Sequence, residues 1–199
     1  MCSYPEAQLA EWKCYWCPNA TQNQHNVSVE EIFSDETLNV FGYILKTDEE
    51  IIVSFRGTQD ESARNWILDF DVFLAEYSRC DGCKIHVGFK MCYESVQKKV
   101  VRGVQRIVES FPHLPVRVTG HSLGAALSIL GAADLKDHGI NVDLVVNFGQ
   151  PRVGNRVFAH WYDQLGIKTY RAVNQKDIVP HLPPRFLDFF HIATEVWFL

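Results

Sequence analysis

Residues 116–127 read Val116-Arg117-Val118-Thr119-Gly120-His121-Ser122-Leu123-Gly124-Ala125-Ala126-Leu127. The first four residues form a short β-branched strand, and from Ala125 onward Ala126, Leu127, Ile129, Leu130, Ala132, Ala133 and Leu135 form a helix rich in small residues. As a string, Gly120-His121-Ser122-Leu123-Gly124 counts for little; its placement between a strand and a helix is informative. A turn this sharp forces the serine backbone into a strained conformation and requires glycine at both flanks. It would hold the Ser122 hydroxyl above the sheet, at the N-terminus of the following helix. There the Leu123 N–H and the helix dipole favour an oxyanion. Ser122 is therefore the candidate nucleophile and Leu123 a candidate oxyanion donor. The side chain of His121 should diverge from that of Ser122, so it is not the expected base.

Working outward, Val40–Lys46 and Ile51–Phe55 read as strands joined by the polar turn Thr47-Asp48-Glu49-Glu50, an N-terminal hairpin. From Phe89, the residues Cys92, Val96, Val100, Val104, Ile107, Val108 and Phe111 recur every three or four positions, predicting an amphipathic helix of about six turns ended by Pro112. Val142–Phe148 is a near-continuous apolar run, as for a strand buried on both faces. A helix over 156–165 and a strand over 168–173 follow, then a loop carrying Asp177. Strands alternating with helices from position 85 imply the α/β class, with a mostly parallel sheet flanked by helices.

The 199 residues suffice for one domain. With 47% apolar and 22% charged residues, 12 Gly and 8 Pro, disordered and fibrous classes are excluded. No apolar run reaches the ~18 residues of a membrane span. The net charge of −5, from 24 acids and 19 bases without a basic cluster, gives no basis for nucleic-acid binding. Six cysteines include two close pairs, Cys14 with Cys17 and Cys80 with Cys83. These admit a four-thiolate zinc site, a redox dithiol or two local disulfides, and the sequons at Asn19 and Asn26 lean towards an oxidising secretory route. Cys92, on the amphipathic helix, reads as a small buried hydrophobe.

A serine hydroxyl needs an imidazole to take its proton and a carboxylate to orient that imidazole. On a strand–turn–helix nucleophile the chain order is serine, acid, histidine. Asp177 in Asn174-Gln175-Lys176-Asp177-Ile178-Val179-Pro180, just after a strand, fits the acid, and His191 satisfies the order for the base.

Further segments carry a family resemblance: Trp12-Lys13-Cys14-Tyr15-Trp16-Cys17, Phe55-Arg56-Gly57-Thr58, Asn65-Trp66-Ile67, Cys80-Asp81-Gly82-Cys83, His86-Val87-Gly88-Phe89, Phe148-Gly149-Gln150-Pro151-Arg152-Val153-Gly154-Asn155 and Asp177-Ile178-Val179-Pro180-His181-Leu182-Pro183-Pro184. With the Ser122 turn, they make the chain resemble the class 3, fungal-type lipases of the α/β-hydrolase fold over nearly its whole length. The resemblance implies Ser122 as nucleophile, Asp177 as acid, and an oxyanion hole from the N–H groups of Leu123 and Thr58, with the Thr58 hydroxyl as a further donor. It implies two local disulfides and a secreted, monomeric enzyme that needs no cofactor or metal and acts on a lipid or ester substrate at a lipid–water interface. It also implies a lid over residues 61–69, where Ala63, Trp66 and Ile67 share one face. Triacylglycerol is the expected substrate. A phospholipase A1 or feruloyl-type esterase would keep the same machinery, and an inactive lipid-binding relative would keep only the groove.

The resemblance departs from residue order at the base. Phe189-Phe190-His191 followed by Glu195-Val196-Trp197 is similar to a family segment in which that histidine is structural and the catalytic one lies several tens of residues further on. His86 likewise resembles a structural position. Cys2 matches a family cysteine whose partner lies near the C-terminus. The expectation is a single α/β-hydrolase domain over 1–199 that lacks its final segment, with the base outside these residues.

Overall fold

The computed structural model describes residues 6–14, 17, 26–58 and 73–198. A short helix α1 (Glu6–Ala10) precedes strands β1 (Ser28–Asp35), β2 (Val40–Lys46) and β3 (Ile51–Phe55), which pair antiparallel in that order. The expected hairpin is thus the inner part of a three-stranded meander. Its turn is stapled by Thr47, fully buried, whose Oγ1 accepts the N–H groups of Glu49 (3.1 Å) and Glu50 (3.0 Å). β1 escapes the sequence pattern because its run Ser28-Val29-Glu30-Glu31-Ile32-Phe33 breaks strict alternation, and the structure carries a register shift between Val29 and Glu31.

Next come β4 (Leu74–Glu76) and β5 (Lys84–His86), a small antiparallel pair, then α2 (Val87–Ser110), β6 (Val116–His121), α3 (Leu123–Asp137), β7 (Val142–Phe148), α4 (Arg156–Gln164), β8 (Thr169–Asn174) and β9 (Glu195–Phe198). The main sheet has the order β1-β2-β3-β6-β7-β8-β9, parallel from β3 onward. α2 begins at His86, whose Nδ1 accepts the Gly88 N–H at 3.1 Å, and its buried stripe runs from Phe89 to Ile107. It ends before Pro112, as the pattern predicts. α3 is buried all round from Leu123 to Leu135, the mark of a helix enclosed in the core. Its alanines and glycines let it lie close on the sheet: a Cβ on Gly131 would stand 3.1 Å from the Phe55 ring. β7 is less enclosed than its composition predicts. Val142, Val145 and Asn147 are buried, but its ends meet the open rims of the sheet, where Asp143 faces Arg117 and Phe148 is half-exposed.

The two short cysteine pairs close as local disulfides, Cys14–Cys17 and Cys80–Cys83, and among the described residues no cluster of His, Cys, Asp or Glu could hold a metal ion. Cys92 is fully buried, and that burial pushes its thiol pKa up to about 12, where it is an inert hydrophobe. The Cys80–Cys83 loop is held from two sides. Arg79 pairs with Asp134 and Asp137, and Asp134, buried in α3, also accepts Tyr93 Oη (2.7 Å) and Gln97 Nε2 (3.0 Å). From the other side, Asn155 caps α4 through the Phe158 N–H and donates to the Gly82 carbonyl at 3.0 Å. No helix among the described residues is long and apolar enough to cross a membrane.

Candidate active site

The parallel register places Phe55 beside Gly120 and His121 beside Phe148, so the ends of β3, β6 and β7 meet at one rim. At that rim Ser122 adopts φ 53°, ψ −120° between β6 and α3. A non-glycine residue at positive φ carries strain of about 1–3 kcal/mol and persists only where its surroundings enforce it. Here the flanks enforce it by contact: a Cβ on Gly120 would stand 2.2 Å from the Gly124 carbonyl oxygen, and one on Gly124 would stand 2.1 Å from the Phe55 carbonyl oxygen. The Ser122 N–H donates to the Phe148 carbonyl at 3.0 Å, and the Ser122 carbonyl accepts from Ala125 at 3.0 Å, opening α3. Ser122 is 2% exposed, and its Oγ is buried without a hydrogen-bond partner among the described residues.

Thr58 follows β3 and is brought to the same place. A Cβ on Gly57 would stand 2.7 Å from the His121 carbonyl oxygen, so the Gly57-Thr58 segment passes directly over the residue before Ser122. Thr58 is buried, and its Oγ1 likewise has no partner among the described residues. Such orphaned hydroxyls are costly in a protein interior and are concentrated where a ligand completes them. Leu123, the first residue of α3, is buried beneath the turn; the first N–H groups of a helix have no intrahelical acceptor.

Asp177 stands in the loop after β8, where its Oδ1 accepts the Val179 N–H at 3.0 Å. A cavity of about 540 Å³ opens beside it, lined among others by His121, Phe148, Gly149 and Phe198. The His121 ring faces this cavity: a Cβ on Gly149 would lie 2.7 Å from Asp177 Oδ2 and 3.5 Å from His121 Nε2. Burial lowers the His121 pKa, against the pull of the Asp177 carboxylate, which raises it.

His191 is placed elsewhere. Its Nε2 donates to the Pro180 carbonyl at 2.7 Å, its Nδ1 is buried without a partner, and burial together with the neighbouring Arg171 pushes its pKa down to about 3. It does not line the cavity at Asp177. His86 is fully buried, caps α2 and stacks on Phe89 at 4.4 Å. The lid segment with Trp66 and Ile67 lies outside the described residues.

Two contributions to the site were not read from side-chain chemistry. Arg152 donates to the carbonyls of His181 and Pro183, and its N–H to that of Leu182 (2.8 Å), so it anchors the loop that follows Asp177. Beneath the Ser122 turn, Ser128, Asn147 and Gln150 form a buried polar chain. A polar Asn147 inside the apolar β7 run was the available signal.

Residues 52–187 match the family described as lipase (class 3). A lipase of Rhizomucor miehei is 36% identical over 194 residues, covering 94% of this chain and 52% of the relative. A secreted mono- and diacylglycerol lipase A of Penicillium cyclopium is 32% identical, covering 91% of this chain and 59% of the relative. The chain thus spans about half the length of these relatives. The solved structure of lipase II from Rhizopus niveus superposes with a TM-score of 0.86 at 34% identity, over 94% of this chain and 71% of that one.

Proposed function

The chain belongs to the class 3 lipase family, with its α/β-hydrolase fold, and from that membership we propose that it is a serine carboxylic ester hydrolase acting on acylglycerols. The observation that carries this reading is a pair of buried hydroxyls without a partner among the described residues, Ser122 Oγ at the strained turn that opens a buried helix and Thr58 Oγ1 on the segment that passes over it. Ser122 Oγ attacks the ester carbonyl carbon while its proton passes to an imidazole. The resulting oxyanion takes hydrogen bonds from the Leu123 and Thr58 N–H groups and the Thr58 hydroxyl. The carbon–oxygen bond to the alcohol then breaks, the imidazole protonating the leaving oxygen. Water repeats the sequence on the acyl-enzyme, releasing the acid and restoring Ser122.

Asp177 orients and balances the imidazole, which stands in the cavity that His121 and Asp177 line. His191 donates to the Pro180 carbonyl and does not line that cavity. Trp66 and Ile67 would lie on the apolar face of a lid that leaves the acyl groove at a lipid–water interface. The short disulfides and the secreted Penicillium relative support a secreted enzyme.

The test uses the full-length protein with p-nitrophenyl butyrate and a fluorophosphonate probe. Ser122→Ala should abolish labelling and reduce turnover about 10⁴-fold or more. Labelling that survives Ser122→Ala would refute the assignment, and absence of labelling in the parent would favour a lipid-binding relative. Triolein, phosphatidylcholine and feruloyl ester substrates assayed side by side separate the lipase from the phospholipase and aromatic esterase readings.

A further inference from the structure

The Ser122–Ala125 turn is held from β7 by two consecutive residues. The Phe148 carbonyl takes the Ser122 N–H at 3.0 Å. The Asn147 side chain, fully buried, gives one amide proton to the Ala125 carbonyl (3.1 Å) and the other to Gln150 Oε1 (2.9 Å). Its Oδ1 accepts Ser128 Oγ at 2.6 Å, and Ser128 Oγ also lies 2.8 Å from the Ala125 carbonyl oxygen. Both amide protons of Asn147 and one acceptor site of its Oδ1 are thus engaged, in an interior where an unmatched amide is heavily penalised. The two attachment points, Ser122 and Ala125, bracket Leu123 and Gly124, whose N–H groups open the helix.

We propose that Asn147 is a positioning residue: with Ser128 and Gln150 it clamps the Ala125 carbonyl and thereby sets the aim of the Leu123 N–H at the reacting oxygen. The inference rests on the hydrolase reading of Ser122. It follows from where the bonds go. A polar group needed only to fill β7 would be satisfied within the sheet or replaced by valine. This one reaches across to the first turn of α3, from which the oxyanion donor projects. An oxyanion donor acts only as charge develops on the substrate oxygen, so a loss of aim must appear in kcat and leave substrate binding intact.

The experiment compares Asn147→Ala, Ser128→Ala and Thr119→Val in the full-length protein on a soluble short-chain p-nitrophenyl ester. Thr119→Val removes another bond between β6 and β7, part-buried, Oγ1 to the Val146 carbonyl at 2.6 Å, which engages no side chain of the clamp. It serves as the control for general destabilisation. Asn147→Ala should lower kcat about 10–100-fold with KM within about twofold, less than the ~10²–10³-fold loss of an oxyanion donor itself. Ser128→Ala should fall between, because Asn147 still reaches Ala125, and Thr119→Val should keep the parental kcat. Amide exchange at Leu123 and Gly124 should accelerate in Asn147→Ala and not in Thr119→Val. A kcat loss no greater than that of Thr119→Val, or a loss carried by KM, would overturn the proposal. A parent without turnover refutes the hydrolase reading instead. The exchange measurement then decides the clamp by itself, with unchanged exchange at Leu123 and Gly124 overturning it.

Discussion

Gly124→Ala tests the claim that contact between α3 and β3 enforces the strained serine. A Cβ at Gly124 would sit 2.1 Å from the Phe55 carbonyl oxygen and 2.7 Å from its carbon, about 1.3 Å short of the 3.4 Å at which ordinary contact begins. Both opposing atoms are backbone, so no rotamer change relieves the overlap, and the helix N-terminus must move off β3 by about 1 Å. Overpacking of this kind costs about 1–3 kcal/mol, which at roughly 2–4 °C per kcal/mol for a chain of this size lowers Tm by about 2–12 °C. The displacement carries Ser122 Oγ and the Leu123 N–H with it, and misplacement by about 1 Å costs about 10²-fold in rate. Fluorophosphonate labelling rates and thermal melts of the full-length protein read the two effects separately. Gly139→Ala supplies the contrast. Gly139 has φ 77° with nothing within 4 Å of a Cβ, so alanine there costs about 1–2 kcal/mol of backbone strain and leaves labelling untouched. If Gly124→Ala labels at the parental rate, the turn does not depend on this contact and the reasoning fails.

Two further outcomes follow from buried ionisable groups. Asp134→Ala leaves Tyr93 Oη, Gln97 Nε2 and Arg79 without their common acceptor; it should cost about 3–5 kcal/mol and lower Tm by about 6–20 °C while the folded protein still labels at the parental rate. His191 has a folded pKa pushed down to about 3, below its unfolded value near 6.5, so the unfolded chain binds more protons between these limits. Its contribution to stability is present above pH 6.5 and lost as the pH falls towards 3. Urea titrations at pH 7 and 4.5 should show a smaller pH difference in His191→Gln than in the parent, and an equal difference would contradict a neutral buried ring.

The parts legible in the sequence are those whose local pattern and tertiary role coincide. The strand, glycine-serine turn and small-residue helix of 116–137 were readable because one strained residue requires glycine at both flanks, and the structure supplies the contacts that require it. The β2–β3 pair and α2 were readable from periodicity and from Pro112. The strands β1 and β9 were not. β1 breaks its alternation at Glu30 and Glu31, and β9, at the sheet edge with all four residues exposed, has no burial pattern to leave in the sequence. The Asn147 chain was equally hidden, because one polar residue in an apolar strand does not reveal which carbonyl it serves. For His121 the chain neighbours suggest divergence from Ser122. The sequence does not say where the ring goes instead: it turns to the cavity at Asp177, where Gly149 leaves the space between them open.

This arrangement explains why the candidate machinery is scattered along the chain yet compact in space. In a parallel sheet every strand ends on the same rim, and ligands gather there, outside the carboxyl ends of the strands. Thr58 follows β3, Ser122 follows β6, Gly149 follows β7 and Asp177 follows β8, and the sheet order β3-β6-β7-β8 sets them side by side in that sequence. Thr58, the proposed donor, and Asp177, the proposed acid, thus come to opposite sides of Ser122, as acyl transfer requires if the oxyanion and the imidazole are to approach the same carbonyl from different directions. The reach across β7 is bridged by Gly149, where an alanine Cβ would meet the Asp177 carboxylate at 2.7 Å. A side chain at that position would push the acid loop away from the cavity. The Phe148-Gly149-Gln150-Pro151-Arg152 segment therefore serves the site three times over: it opens the space beside Asp177, it links through Gln150 to the clamp under the nucleophile, and through Arg152 it holds the carbonyls of the loop that follows Asp177.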